Sequence, residues 1–515
     1  MIDLFIIGGG INGCGIARDA AGRGLTVRLA EKDDLAQATS SRSTKLFHGG
    51  LRYLEYFEFR LVREALHERE LLLRAMPHIS WPMRFVLPIL PEMRFESSTP
   101  TSRLLGVVMP WLRGRRPAWL IRLGLFIYDN LGGRKILPGT RQLDLTGDVA
   151  GKALKPGLNL AYEYSDCWVQ DARLVVLNAR DAVARGAGIM TRTRVVSARR
   201  EGDLWRIETV NAAGEREEHL ARALVNAAGP WTGQVIRDVA GLDSRESVRL
   251  VRGSHIVVPK LYDHDRCYFF QGPDGRIIFA IPFEQDFTLI GTTDEDHESD
   301  PQSPEISQDE NRYLCDFASR YFARPVTPEQ VVWTYSGVRS LYDDGASSAT
   351  AATRDYVMTL DEDGAPLLNV FGGKITTYRR LAESAMRRLE PFFPAAGGKW
   401  TAGVALPGGD FPVDGVPDLV AELRAAHPAL DEKQALRLIR AYGTEARQIL
   451  ADGPGADLGG GLSEAELHWL MTREWAETPE DVIWRRSKLG LRMTDQQIAA
   501  LQSRMDHARA TEAEA

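Results

Sequence analysis

The sequence predicts an α/β fold joined to an α+β region and closed by a helical C-terminal domain. Three observations predict it. The chain opens with an apolar run, a glycine turn, a small-residue helix and a second apolar run. Its middle is dominated by strand-like runs. Beyond about Pro394, after the linker Ala395-Ala396-Gly397-Gly398, helical patterns such as Glu432 to Tyr442 and Glu464 to Met471 take over. At 515 residues the chain is too long for one ordinary core, so two or three domains are expected.

The opening unit runs from Leu4–Ile7 through Gly8-Gly9-Gly10-Ile11-Asn12-Gly13 into a helix from Cys14 to Gly24. The strand Leu25 to Ala30 follows, ending in Glu31. Gly8 permits the tight turn, Gly10 lets backbone approach a pyrophosphate, and Gly13 lets helix pack on strand. The free N–H groups and partial positive charge of the helix N-terminus suit phosphate. Glu31 falls 18 residues past Gly13, where a carboxylate holding a ribose hydroxyl belongs. A glycine-rich turn in an unrelated α/β domain would not require that acid. The unit reads as a dinucleotide site.

The acid is followed by a hydroxyl-rich stretch, Ala38 to Lys45, then His48, the pair Gly49-Gly50, and Arg52-Tyr53. Hydroxyls and backbone N–H groups suit further phosphate contacts, and a glycine pair lets backbone lie against a flat ring. A solvated Ser/Thr loop is the plainer reading. A long helix is predicted from Glu58 to Met76. Strands follow at Arg194–Arg199, Trp205–Val210, Ala223–Asn226, Val248–Val258, Arg276–Ile281 and Phe287–Gly291, expected in a sheet separate from the first. Ala223–Asn226 ends in Ala227-Ala228-Gly229-Pro230-Trp231, as a sheet end facing a cofactor does. A last strand, Leu367 to Phe371, enters Gly372-Gly373-Lys374 and a helix, whose N-terminus could stabilise negative charge on a reduced ring.

Composition excludes several classes. A net charge of −7 argues against nucleic-acid binding. The four cysteines are scattered without a C-x-x-C, which removes zinc-ribbon, thioredoxin-like and clustered iron–sulfur readings and fits a reducing cytoplasm. The chain enters its first strand at once, so no signal peptide is expected, and no apolar run of spanning length is found.

Taken together, the strings GGGINGCGIARDAAGRG, ATSSRSTKLFHGGLRYLE, EYSDCWVQDARLV, NAAGPW, RGSHIVV, IGTTD, WTYSGVR, TRDY and FGGKITTYR resemble the FAD-dependent glycerol-3-phosphate dehydrogenases, most closely the bacterial aerobic respiratory type. The resemblance is collinear over about residues 1–390 and weaker beyond. It implies a Rossmann-like FAD domain of the glutathione-reductase type (mainly 1–75, 160–235 and 350–390). It further implies a β-rich substrate domain (mainly 76–159 and 236–349) and a helical cap over 391–515. It implies oxidation of glycerol 3-phosphate to dihydroxyacetone phosphate, with electrons passed to a membrane quinone from the inner face of the cytoplasmic membrane, and leaves room for a homodimer. Two departures stand out: the stretch around 92–116 is longer than in enterobacterial members, and Ser340 follows Arg339 where proline is usual.

The implied cofactor contacts are Gly8, Gly10, Asn12, Gly13, Glu31, Lys32, Ser40, Ser41, Thr44, Lys45, His48, Gly49, Gly50, Val195, Ala228, Gly229, Trp231, Gly373, Lys374, Thr376 and Thr377. A phosphate dianion calls for guanidinium groups. Arg339 and Arg354 are assigned to substrate charge, Arg52 and Tyr53 to closing the site, and Lys374 to phosphate or flavin. The hydroxyl proton needs a base, and His255 is chosen over His48, with an arginine merely polarising the hydroxyl as the other course. Three alternatives stay open: an oxidase using O₂, an amino-acid oxidase or deaminase of the same fold, and a non-enzymatic flavin-bearing membrane scaffold or sensor.

From Ser97 to Tyr128 there is no Asp or Glu, while Arg103, Arg113, Arg115, Arg116 and Arg122 are interleaved with Trp111, Trp119 and Phe126. On an acidic chain this suits a segment lying among anionic headgroups. A core helix with a solvated basic loop is the plainer reading.

Overall fold

The computed structural model describes residues 1–90, 93–95, 99–112, 114–243, 246–272, 275–343 and 355–514. In chain order the strands are β1 (Ile2–Ile7), β2 (Val27–Ala30), β3 (Leu46–Phe47), β4 (Ser80–Pro88), β5 (Arg141–Asp144), β6 (Leu160–Val169), β7 (Gly188–Met190), β8 (Thr193–Glu201) and β9 (Leu204–Asn211). They continue with β10 (Arg216–Asn226), β11 (Val248–Pro259), β12 (Cys267–Gln271), β13 (Ile277–Phe283), β14 (Phe287–Gly291), β15 (Glu295–Asp296), β16 (Trp333–Tyr342), β17 (Val357–Asp361) and β18 (Leu367–Phe371).

The first sheet has the order β17-β18-β10-β1-β2-β7, with β9 added to β10 and β8 to β9. Its centre is parallel: β1 pairs with β10 and β2, β10 with β18, and β2 with β7. Helix α1 (Ile11–Gly22) lies against this sheet. Its residues are small because backbone must approach closely: a Cβ on Gly13 would sit 1.9 Å from the Gly8 carbonyl oxygen. Gly8 itself has φ +111°, a conformation that glycine adopts without steric cost.

The second sheet runs β15-β11-β14-β13-β12-β4-β6-β3, with β16 on β11 and β5 on β6. Two expectations are revised by this topology. Strands β8, β9 and β10 join the first sheet, not a separate one, because β10 pairs directly with β1. Strands β3 and β6, placed by sequence in the first domain, belong to the second sheet, because β6 pairs along β4 from Ser80↔Val169 to Pro88↔Ala161. The chain therefore crosses between sheets repeatedly, and the site falls at the crossings.

The longer helices before the C-terminal region are α2 (Phe59–Ala75), α3 (Pro100–Val108), α4 (Ala118–Leu131), α5 (Asp171–Ala184), α6 (Gln308–Tyr321) and α7 (Tyr378–Leu389). After them come α8 (Val416–Ala426), α9 (Glu432–Tyr442), α10 (Glu464–Glu474) and α11 (Asp495–Glu514), with their own core around Leu438, Tyr442, Leu467 and Leu470. The linker does not leave this part loose. The Trp400 indole packs on Gly22 and donates to the Asp19 carbonyl at 3.0 Å, with the Arg185 guanidinium 3.9 Å from its ring centroid. Among the described residues no helix is long and apolar enough to cross a membrane.

The basic segment splits into two roles. Leu104, Val107, Val108, Trp111, Trp119, Leu123 and Phe126 are exposed, whereas Leu105, Ile121, Leu125 and Tyr128 are buried. Arg103, Arg115 and Arg122 are exposed. Arg116 is not part of that outer face: it is buried, donates to Gln271 Oε1 at 2.8 Å and pairs with Glu55. Arg113 lies outside the described residues.

Candidate functional site

A cavity of ≈ 1670 Å³ opens where the two sheets meet. Gly8, Gly10, Asn12, Glu31, Lys32, Ser40, Thr44, Lys45, His48, Gly50, Arg52, Tyr53, Val195, Ala228, Gly229, Trp231, Arg339, Gly373, Lys374 and Thr376 all line it. Sequence positions hundreds of residues apart thus meet at one wall.

At the glycine turn, Gly9 N–H donates to Glu31 Oε2 at 2.6 Å and Asp33 N–H to Oε1 at 2.9 Å. Burial pushes the Glu31 carboxyl up, and those two N–H groups and Lys32 pull it back. An ionised carboxylate accepts about four hydrogen bonds, so Glu31 keeps capacity for ribose hydroxyls. Ser40 Oγ accepts from Ile11 N–H at 3.0 Å and so fastens the hydroxyl-rich stretch to the start of α1. A Cβ on Gly10 would meet only Ser40 Oγ, at 3.1 Å. The space over Gly10 is therefore kept for something other than protein. Asn12 donates to the Gly372 carbonyl at 3.0 Å, while its Oδ1 is buried with no protein partner. This cradle fits a dinucleotide.

Four predicted residues stand behind the wall. Gly13 supports the turn from below, as described. Ser41 donates to the Ala38 carbonyl at 3.4 Å, and its own carbonyl accepts from Lys45 Nζ at 3.0 Å. Gly49 is buried and gives its N–H to Tyr128 Oη at 2.7 Å. Thr377 is buried, its N–H donating to the Lys374 carbonyl at 3.0 Å. Lys45 does reach the cavity, but its ammonium is held by Asp171 at 2.8 Å and 2.9 Å.

His255 also lies behind the wall. It is 1% exposed, stacks on Tyr335 with centroids 4.6 Å apart, and its Nε2 meets Thr44 Oγ1 at 3.0 Å. Burial, then Arg339 and Lys45, hold its pKa well below the ordinary histidine value. Thr44, by contrast, lines the cavity. Arg339 lies over Gly253, is paired with Asp294, and donates from Nη2 to Thr292 Oγ1 at 3.3 Å. The Lys374 ammonium is 3.8 Å from the Tyr53 ring centroid. Arg354 lies outside the described residues.

Sequence reasoning missed the C-terminal contribution to this cavity. Asp481 and Arg485 line it, and Asp34 is gripped by Arg485 Nε at 2.5 Å and by Arg486 at 2.6 Å and 2.7 Å. It also missed Asp294, whose motif was visible but whose pairing with Arg339 depends on the fold.

Residues 3–379 match the family described as FAD dependent oxidoreductase, and residues 399–511 match the C-terminal domain of alpha-glycerophosphate oxidase. The chain belongs to the FAD-dependent oxidoreductases. FAD is the cofactor of this oxidoreductase. Among relatives of this flavoenzyme, the D-erythritol 1-phosphate dehydrogenase of Brucella abortus is 51% identical over 513 residues, 98% of each chain. The glycerol-3-phosphate dehydrogenase of Pseudomonas aeruginosa is 48% identical, covering 97% of this chain and 94% of that one. The aerobic glycerol-3-phosphate dehydrogenase of Escherichia coli is 46% identical, covering 95% and 94%. The solved glycerol-3-phosphate dehydrogenase of Bacillus halodurans, complexed with FAD, shares the fold with a TM-score of 0.71 at 24% identity, over 98% of this chain and 94% of that one.

Proposed function

We propose that this flavoenzyme oxidises glycerol 3-phosphate at C2 to dihydroxyacetone phosphate and passes the electrons to a membrane quinone. The observation that carries the reading is the convergence of Arg52, Arg339 and Lys374 on the cavity that also contains the dinucleotide cradle. A phosphate dianion is matched by several cations, whereas a substrate carboxylate would need one. That weighs against an amino-acid oxidase.

Bound FAD supplies the hydride acceptor. The protein supplies position and charge. Arg339 and Lys374 hold the phosphate, with Asp294 keeping the Arg339 guanidinium oriented until the substrate arrives. Tyr53 and Arg52 close the site. Thr44 Oγ1, oriented by the neutral His255 Nε2 3.0 Å behind it, accepts a hydrogen bond from the substrate hydroxyl, and water in the open cavity takes the proton as the hydride leaves. His255 thus acts through Thr44.

The outer face of α3 and α4 is proposed to dock on an anionic bilayer at the inner face of the cytoplasmic membrane. Exposed leucine, valine, tryptophan and phenylalanine flanked by Arg103, Arg115 and Arg122 match the chemistry of the headgroup region. A second substrate, D-erythritol 1-phosphate, is favoured by the Brucella abortus relative. It presents the same phosphate and a secondary alcohol on a longer chain.

Anaerobic addition of each phosphate to the yellow holoenzyme tests the reading. Glycerol 3-phosphate is expected to bleach the flavin and yield dihydroxyacetone phosphate. Bleaching by D-erythritol 1-phosphate alone would transfer the assignment to that substrate, and bleaching by neither would remove it. Reoxidation by a quinone much faster than by O₂ is expected.

A further inference from the structure

We infer that Tyr128 is a positioning residue for the reaction, holding the loop from His48 to Tyr56 against cofactor and substrate from the far side of the wall. His48, Gly50, Arg52 and Tyr53 face the cavity. Gly49 and Glu55, on the same loop, are held from outside. Gly49 N–H donates to Tyr128 Oη at 2.7 Å, and Tyr128 Oη donates to Asp166 at 2.8 Å and 2.9 Å. Arg69 donates to Asp166 at 2.5 Å and opposes the burial that pushes the Asp166 carboxyl up to about 6. Tyr128, Asp166 and Arg69 are each no more than 3% exposed.

The polarity of this chain of bonds is fixed. The hydroxyl has one proton, which goes to the carboxylate, so its lone pair is left for Gly49. The ring adds a steric stop: a Cβ on Gly49 would lie 2.8 Å from Tyr128 Cε2. At the other end of the loop, Thr101 Oγ1 at the start of α3 donates to the Glu55 carbonyl at 2.9 Å, and Arg116 pairs with the Glu55 carboxylate. The intervening turn begins at Gly50, φ +74°, and ends at Phe57, φ +61°. The turn is closed on itself, with Tyr53 N–H donating to the Gly50 carbonyl at 2.9 Å and Glu58 N–H to the Tyr53 carbonyl at 3.1 Å, so the outer anchors place it as a unit and with it Arg52 and Tyr53 relative to Lys374. Tyr128 touches neither substrate nor cofactor in this arrangement; it acts through Gly49.

The inference rests on the reading that Arg52 and Tyr53 meet the substrate. Its test is Tyr128→Phe, which keeps the ring and deletes the hydroxyl acceptor, leaving Gly49 N–H only the Asp166 carboxylate, followed by anaerobic stopped-flow reduction of the holoenzyme. The variant is expected to keep its FAD and melting temperature while its limiting rate of flavin reduction falls about tenfold, the cost of a loop no longer held in the reactive position. Its visible flavin spectrum is expected to shift, a change that a merely structural role would not produce. If Tyr128→Phe does not accumulate as holoenzyme, Thr101→Val, which frees the other end of the loop, carries the same expectation of a lower rate at unchanged flavin content. Wild-type rate and spectrum in the variant would overturn the inference. Failure of the substrate reading looks different, because then the wild-type flavin is not reduced by the phosphate at all.

Discussion

Gly10 and Arg339 test the two halves of the site separately. A Cβ at Gly10 meets no backbone and only Ser40 Oγ, so a larger side chain there fills the cofactor's space without breaking the turn. Gly10→Val is expected to fold and to emerge from gel filtration without FAD; stoichiometric flavin in that variant would relocate the pyrophosphate. Arg339→Ala removes a charged donor, worth about 1.5–3 kcal/mol, and leaves Asp294 facing the incoming dianion. The loss in kcat/KM is expected with glycerol 3-phosphate and not with glycerol, and equal losses would show another role. At this scale the sequence was informative where local geometry decides. The glycine turn, Glu31 and the hydroxyl stretch depend on neighbours within about a turn or a strand. It was uninformative where a residue's face depends on partners elsewhere. His255 looked like a residue facing substrate, yet its strand turns it towards Tyr335 and Thr44. Arg116 looked like a headgroup contact, yet Glu55 and Gln271 draw it inward.

Among the elements, α4 is apolar on two faces. Ile121, Leu125 and Tyr128 pack inward, while Trp119, Leu123 and Phe126 are exposed. A helix of this kind in water would leave its outer face hydrated at a cost, which burial among acyl chains removes. Co-sedimentation with anionic vesicles is the measurement. Arg115→Glu with Arg122→Glu should weaken binding at low salt by about 1 kcal/mol or more per charge, with dye-linked activity intact. Full sedimentation of the reversed protein would exclude this face as the anchor. The sequence located the segment through its lack of acids, and its helices were not separable from a loop because Gly106, Pro110, Gly114 and Pro117 interrupt the pattern. The sheet assignments went wrong for a related reason. Strand patterns reveal that β8, β9 and β10 exist, but which sheet they join is set by the pairing of β10 with β1 across more than two hundred residues.

The molecule as a whole is held by charges buried between its parts, and two consequences can be measured. His78, fully buried beside the C-terminal region, has its pKa lowered to about 3 by burial and by Arg173, Arg440 and Arg180. Its folded value lies below its unfolded value of 6.5, so the unfolded chain binds the extra proton. The stability linked to His78 is full above pH 6.5 and is lost as pH falls towards 3. In urea unfolding, the wild type should lose about 1.4 kcal/mol per pH unit relative to His78→Phe between about pH 6 and 4. Parallel curves would show that His78 is protonated in the fold. Asp34 is the second case. It is 1% exposed and neutralises the fully buried Arg486. Asp34→Ala strands that guanidinium, and a loss of about 3–5 kcal/mol is expected, with FAD released at a lower temperature. A melting temperature within a degree of wild type would contradict it. The helical C-terminal part was legible as a domain; its hold on Asp34 was not, since nothing local marks one aspartate among many as its target.

That hold has a bearing on how the living cell makes the protein. Asp34 and Arg486 are 452 positions apart, so the nascent chain exposes the glycine turn and Glu31 long before the arginine that braces them has been synthesised. Asp481 and Arg485, which line the same cavity, are equally late. Flavin capture is therefore expected to wait until Arg485 and Arg486 have emerged from the ribosome. In synchronised cell-free synthesis, quenching of FAD fluorescence should begin only once chains that include Arg486 appear, and the pool of colourless chains should grow whenever translation stalls before that arginine is made.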